Sequence, residues 1–280
     1  MRLGGLLMGN VMLITLERPT DIQIARRAWK SMLEAARQMW PLFLGSLFVL
    51  IVVASRGLWL PGYAAWQKQL LTEMSPFIFS LIMTSVSNTI SLILLAPLAV
   101  AVHRFVLLGE VRKTPYFFNR TSLKFAGMLL AFQILGFLVL PLQLWGAPRA
   151  ITLFHSLAYF AIVCWTMLVF PAVAVEEKNA KGRLRTAILR ARGNFWKILR
   201  CMLLISIVLG LPWFVLLMSY NIFLGKLLQS GVPQFLLSSY YLLMNNAFRL
   251  LLAALGAATV SHLYSYAAHR AQEPEVQPVT

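Results

Sequence analysis

Residues 76–102 read PFIFSLIMTSVSNTISLILLAPLAVAV, and no side chain from Pro76 to Val102 is charged. A helix needs about 20 predominantly apolar residues to cross the hydrocarbon layer of a bilayer. This stretch meets that length without using any charged position. Apart from Ser80, its polar content is the hydroxyl and amide groups of Thr84, Ser85, Ser87, Asn88, Thr89 and Ser91. It reads as a transmembrane span.

Working outward, five further apolar stretches of similar kind lie near residues 41–60, 125–145, 150–175, 201–224 and 247–267. The pattern predicts an all-α integral membrane protein with six transmembrane helices, arranged as three helical hairpins. The membrane domain covers residues 21–267. Residues 1–20 are expected to be interfacial or disordered, with Met12 as an alternative start, and residues 268–280 to form a disordered cytoplasmic tail. Composition agrees. The chain of 280 residues is 59% hydrophobic and only 12% charged, whereas a soluble domain carries roughly 25% charged residues. Mean hydropathy is +0.74. So few charges could not cover the surface of a water-soluble fold of this size.

The charges that remain are mostly basic, 25 Lys and Arg against 9 Asp and Glu, for a net charge of +16. A basic chain can bind nucleic acid, but here the cations lie between apolar spans, so no nucleic-acid partner is expected. Residues 1–40, 103–124, 176–200 and 268–280 hold 20 of the 25. Lys and Arg are retained on the cytoplasmic side of membrane proteins, which puts both termini in the cytoplasm. Arg249 stands apart. The expected sixth span starts at Ala247, so that Arg249 snorkels to the outer rim and residues 233–246 form an outer amphipathic segment. The alternative is one long tilted helix over 233–267 with Arg249 at depth.

Residues 21–40 predict a basic amphipathic helix. Ile22, Ala25, Trp29, Met32, Leu33, Ala36 and Trp40 recur at steps of three and four, with Arg26, Arg27, Lys30 and Arg37 on the other face. Asp21 is placed to cap its start. Such a helix either lies on an anionic membrane surface or packs on the protein's own core. Residues 181–197 show the same pattern. Leu184, Ile188, Ala191, Phe195 and Ile198 make the apolar stripe, opposite Arg183, Arg185, Arg190 and Arg192. The candidate headgroup ligands are therefore Arg26, Arg27, Lys30, Arg183, Arg185, Arg190 and Arg192, and the expected partners are anionic membrane lipids. Trp29, Trp40 and Trp196 would face a membrane protein partner if one exists.

Three segments look like an internal repeat. Each opens with a basic, aromatic-containing stretch (Arg26–Trp40, Arg112–Lys124 and Lys181–Lys197) and crosses out and back. The returns end alike: APLAVAVH at 96–103, FPAVAVE at 170–176 and GAATVSH at 256–262. Parallel repeats of this kind occur in transporters. They would set His103, Glu176 and His262 at equivalent cytoplasmic helix ends, and two His with one carboxylate are the elements of an open metal site. The alternative is three interfacial residues with local hydrogen bonds. A second candidate is a polar intramembrane lining of Ser87, Asn88, Ser91 and Gln133, weighed against simple helix–helix hydrogen bonding by the same groups. Cys164 and Cys201 are too few for a disulfide framework and read as small packing residues.

The run His103-Arg104-Phe105-Val106-Leu107-Leu108-Gly109-Glu110, the run Pro171–Glu176, and the basic stretch ending Arg192-Gly193-Asn194-Phe195-Trp196-Lys197 together resemble a bacterial family of membrane proteins. That family is labelled by similarity to the membrane domain of glycerophosphoryl diester phosphodiesterases. The resemblance runs from about Arg26 to Tyr266. It implies a six-helix architecture and a bacterial inner membrane, without an assigned activity.

The phosphodiesterase reaction itself is not expected. It needs acidic metal ligands and an acid/base pair. None of the nine carboxylates falls inside a predicted span. There is no Gly-rich phosphate loop and no nucleophile elbow, and spans so poor in acid do not suit a proton pump. The reading is a non-enzymatic protein without cofactors that binds or moves a lipid or other amphiphile, or supports such a system. The alternatives are an accessory or assembly subunit of a larger membrane complex, and a membrane enzyme with a His/Glu site.

Overall fold

The computed structural model describes residues 19–112, 119–137, 148–175, 180–229 and 233–270. Among them the secondary structure is entirely helical. The helices are α1 (Asp21–Gln38), α2 (Trp40–Ala54), α3 (Arg56–Trp59), α4 (Tyr63–Glu73), α5 (Pro76–Leu108), α6 (Arg120–Phe137), α7 (Arg149–Thr166), α8 (Val169–Ala174), α9 (Ala180–Gly193), α10 (Phe195–Gln229) and α11 (Gln234–Arg270).

Among the described residues three helices are long and apolar enough to cross a membrane: Ile78–Leu108 of α5, Phe195–Tyr220 of α10 and Leu236–Arg270 of α11. A fourth span is reached if α1 and α2, which meet at an 89° bend, are taken together. The bend has a local cause. Pro41 stands in the first turn of α2 and has no N–H to continue the ladder of α1, so α1 closes at Met39 and the chain turns. Ala150–Thr166 is apolar but shorter than a full span.

The first expected span, 41–60, is broken at Ser55. At 15 residues, α2 rises only about 22 Å, short of the hydrocarbon thickness. The fourth, 150–175, is interrupted at Met167 and Leu168 between α7 and α8. The third begins earlier than expected, at Arg120, and its expected end falls among residues 138–147, which lie outside the described set. So do residues 1–18 and 271–280. The expected tail is shorter at its start, because α11 continues through Arg270.

The largest correction concerns the last helix. It does not start at Ala247; α11 is one helix of 37 residues. No Pro or Gly stands between Gln234 and Leu255 to break it, so the outer segment 233–246 continues into the span. The cap of α1 is also corrected. Thr20, not Asp21, is the N-cap. Its hydroxyl accepts from the Gln23 backbone N–H at 3.2 Å, and the Gln23 side chain accepts from the Thr20 backbone N–H at 2.9 Å. This reciprocal pair is a capping box, and Asp21 adds a carboxylate to the positive first turn.

The densest core lies where α1, α5 and α11 meet. From Leu95 to His103 every residue of α5 is buried, and so are Ala254, Leu255, Ala257 and Ala258 of α11. The Ala-rich surfaces let the two backbones approach closely, as small residues do in membrane helix pairs. Into the same core α1 turns Ala28, Met32 and Ala35, while Ile24 joins Cys201 of α10 and Leu263 of α11 in an adjacent cluster. The buried face of α1 is therefore not the expected stripe but one a residue out of phase with it: Ile24, Ala28, Met32 and Ala35 pack on the protein's own helices, while Ile22, Trp29, Leu33 and Trp40 of the expected stripe are exposed beside the basic residues. Away from this core α10 is open: Ile207, Leu211, Phe214, Val215 and Ile222 are all exposed, as expected of a helix that meets lipid.

Candidate functional site

Polar side chains gather in two layers between the long helices. In the first, His103 of α5 is buried and its Nδ1 shares a 2.7 Å hydrogen bond with Ser261 Oγ of α11. One residue on, His262 Nε2 shares a 3.0 Å bond with Ser31 Oγ of α1. A polar latch fastens the start of α1 to α10 nearby. Arg200 Nε donates to Asp21 at 2.8 Å, and Lys197 Nζ donates to the Pro19 carbonyl at 2.7 Å. The Lys197 ammonium also sits 3.8 Å from the centre of the Tyr266 ring. Each cation is thereby paired or held against an aromatic face.

At the end of α5 the chain turns through Gly109, whose φ of 68° is left-handed and free of strain only without a Cβ. The turn folds Glu110 back on Arg104. Arg104 Nε and Nη2 donate to the two Glu110 oxygens at 2.7 Å each, and Nη1 donates to the Ala174 carbonyl at 3.0 Å. This fork geometry is the strong form of an ion pair, and it ties α5 to α8. The bond from Arg104 holds the Glu110 carboxyl below its ordinary range.

The second layer is built on Arg249. Its Nη1 donates to Ser91 Oγ of α5 at 2.7 Å, and Ser91 in turn donates to the Ser87 carbonyl at 2.8 Å. At a rise of 1.5 Å per residue, Arg249 stands about 20 Å from His262 along α11. Arg249 is half-buried, so it is neither at the surface nor in the closed core.

The candidate lining is thus partly assembled. Ser91 is buried and engaged, and Ser87 supplies its carbonyl. Thr89 likewise donates to the Ser85 carbonyl, the local back-bonding that satisfies hydroxyls within a helix. Asn88 is exposed, and Gln133 on α6 is half-buried. The sequence singled out Ser91 and Arg249 separately, but nothing in it marked them as a pair. The two metal candidates that are described each hold a different serine, and Glu176 lies outside the described residues. Among the described residues no group of three His, Cys, Asp or Glu is arranged to hold a metal ion.

The basic candidates divide. On α1, Arg26, Arg27 and Lys30 are exposed, with no ion pair among the described residues. On α9, Arg185 and Arg192 are exposed, while Arg190 is half-buried with its guanidinium 6.0 Å from the centre of the Tyr264 ring. Arg190 is thus less open than its two neighbours. Arg183 lies on α9, its side chain outside the described set. Both cysteines are buried, as small packing residues should be.

No family model matches this chain, and comparison with curated proteins and with solved structures likewise finds no match. These comparisons do not bear on the resemblance to the phosphodiesterase membrane-domain family.

Proposed function

We infer that this is a six-span inner-membrane protein of three helical hairpins, with both termini in the cytoplasm, and that it binds anionic lipid at its cytoplasmic face. The observation that carries the lipid reading is the division of α1. Ile24, Ala28, Met32 and Ala35 are taken up by the protein's own core, and Arg26, Arg27 and Lys30 remain exposed beside Ile22, Trp29 and Leu33, without ion pairs among the described residues. An ordinary solvated helix would mix its charges; on this outer face the charges are basic apart from Glu34, and Ile22, Trp29 and Leu33 stand among them, as suits a membrane surface. Each Lys or Arg close to an anionic surface contributes about 1 kcal/mol. Exposed Arg185 and Arg192 on α9 add to the same character. The placement of the cations relative to the spans supports the orientation.

The test is native mass spectrometry of the chain released gently from its own membrane. Anionic lipid should be retained by the wild type and lost when Arg26, Arg27 and Lys30 are reversed to Glu. Retention unchanged by reversal contradicts the reading. A second reading, an accessory subunit of a larger complex, is favoured by Trp40 and Trp196, which are 61% and 69% exposed. A stoichiometric protein partner in the same extract would put it first.

A further inference from the structure

Arg249 is a cation whose charge the described chain does not balance. Its acceptor is the neutral hydroxyl of Ser91, and the proton of that hydroxyl is already given to the Ser87 carbonyl. A guanidinium carries five N–H donors in a planar fork, so most of its capacity is left over. Among the described residues no carboxylate pairs with it. There is no Asp or Glu between Glu73 and Glu110, or between Glu177 and Glu273. Helices α5, α10 and α11 therefore carry none. Asp21 and Glu34 belong to α1, which bonds to α11 at His262, about 20 Å away along the helix. Asp21 is held by Arg200 and Glu110 by Arg104.

A cation at this depth is costly unless something neutralises it. The hydrocarbon layer is about 30 Å thick. If the His262 layer sits at the cytoplasmic edge, Arg249 lies inside the layer on its far side. Planar, bidentate recognition by Arg suits phosphate and carboxylate alike, and the oxyanion a bilayer supplies in quantity is lipid phosphate. The surroundings suit such a ligand. Ser91 adds a hydroxyl, Asn88 is exposed on the same helix three residues earlier, and the open apolar surface of α10 can meet acyl chain.

We propose that Arg249, with Ser91, binds the phosphate of an anionic lipid drawn between α5 and α11. This rests on the reading of the protein as a lipid binder and assigns that reading a site separate from the basic face of α1.

The experiment is back-titration of the delipidated full chain in detergent with phosphatidylglycerol, read by native mass spectrometry. Inorganic phosphate alone forms a parallel arm. A tight adduct is expected with the wild type. Arg249→Gln should weaken it at least tenfold. Arg249→Lys, which keeps the charge and loses the fork, should weaken it several-fold. The triple variant Arg26→Gln, Arg27→Gln, Lys30→Gln should leave this adduct in place while losing the weaker ones. If Arg249→Gln fails to fold, the Lys variant decides alone. Adduct strength indifferent to Arg249 overturns the proposal, even if the α1 variant shows lipid binding elsewhere. Arg249-dependent binding of inorganic phosphate as tight as that of the lipid would overturn the assignment to lipid.

Discussion

His103 and Ser261, 158 residues apart in the chain, share a 2.7 Å hydrogen bond inside the core of the bundle. The bond joins α5 to α11 beside their buried Ala-rich stretches. A buried polar group left without its partner costs about 1–3 kcal/mol. Ser261→Ala should therefore lower thermal stability in detergent by that amount. The double variant His103→Phe, Ser261→Ala should recover part of the loss, because no polar group is then stranded. Equal stability of Ser261→Ala and wild type would mean that the bond contributes nothing.

The Arg104–Glu110 pair makes stability depend on pH. The bond from Arg104 holds the Glu110 carboxyl below its ordinary value of 4.5. A carboxyl depressed in the folded state adds stability above its unfolded value, and that stability is lost as pH falls through the folded value. Melting temperature should accordingly drop as pH falls below 4.5. Glu110→Gln should be less stable than wild type at pH 7 and should flatten the acid limb. Parallel curves for the two proteins would refute the pairing.

At Gly109 the backbone adopts φ of 68° with nothing within 4 Å of an added Cβ. Space is not the constraint there; backbone conformation is. Gly109→Ala should cost about 1 kcal/mol. Because the turn aims Glu110 at Arg104, the same substitution should also weaken the acid sensitivity just described. Unaltered melting at both pH values would show that the turn tolerates a side chain.

Thr20 closes the first turn of α1 through its capping box. Thr20→Ala should cost about 1 kcal/mol, whereas Thr20→Ser should be nearly neutral. The measurement is hydrogen exchange at Gln23 and Ile24, which should quicken in the Ala variant. Exchange that is unaffected would place the stability of α1 in its packing on α10 and α11 alone.

Much of the fold could be read in advance, for identifiable reasons. The run from Pro76 to Val102 has one physical outcome, and the structure extends it only to Leu108. The helix α1 was legible because period and charge agree over five turns, but its buried face was not: it falls one residue away from the expected stripe, on Ile24, Ala28, Met32 and Ala35, and leaves Ile22, Trp29 and Leu33 exposed. The harder parts depend on partners distant in sequence. Nothing near Ser31 marks it as the partner of His262, 231 residues away. The continuity of α11 stood only as the alternative because Arg249 looked too expensive to place in a span, and its pairing with Ser91 is invisible in either segment alone. The short helix α4 was likewise unmarked, since Tyr63–Glu73 has no clear apolar period.

The central claim is that α5 crosses a bilayer, and cysteine accessibility tests it most directly. Both native cysteines are buried, so the background should be quiet. Glu73→Cys and Val111→Cys place a thiol at exposed positions just beyond either end of the helix. In sealed vesicles of known orientation, a membrane-impermeant maleimide should label Val111→Cys only from the cytoplasmic side and Glu73→Cys only from the opposite one. Labelling of both from the same side would contradict the account.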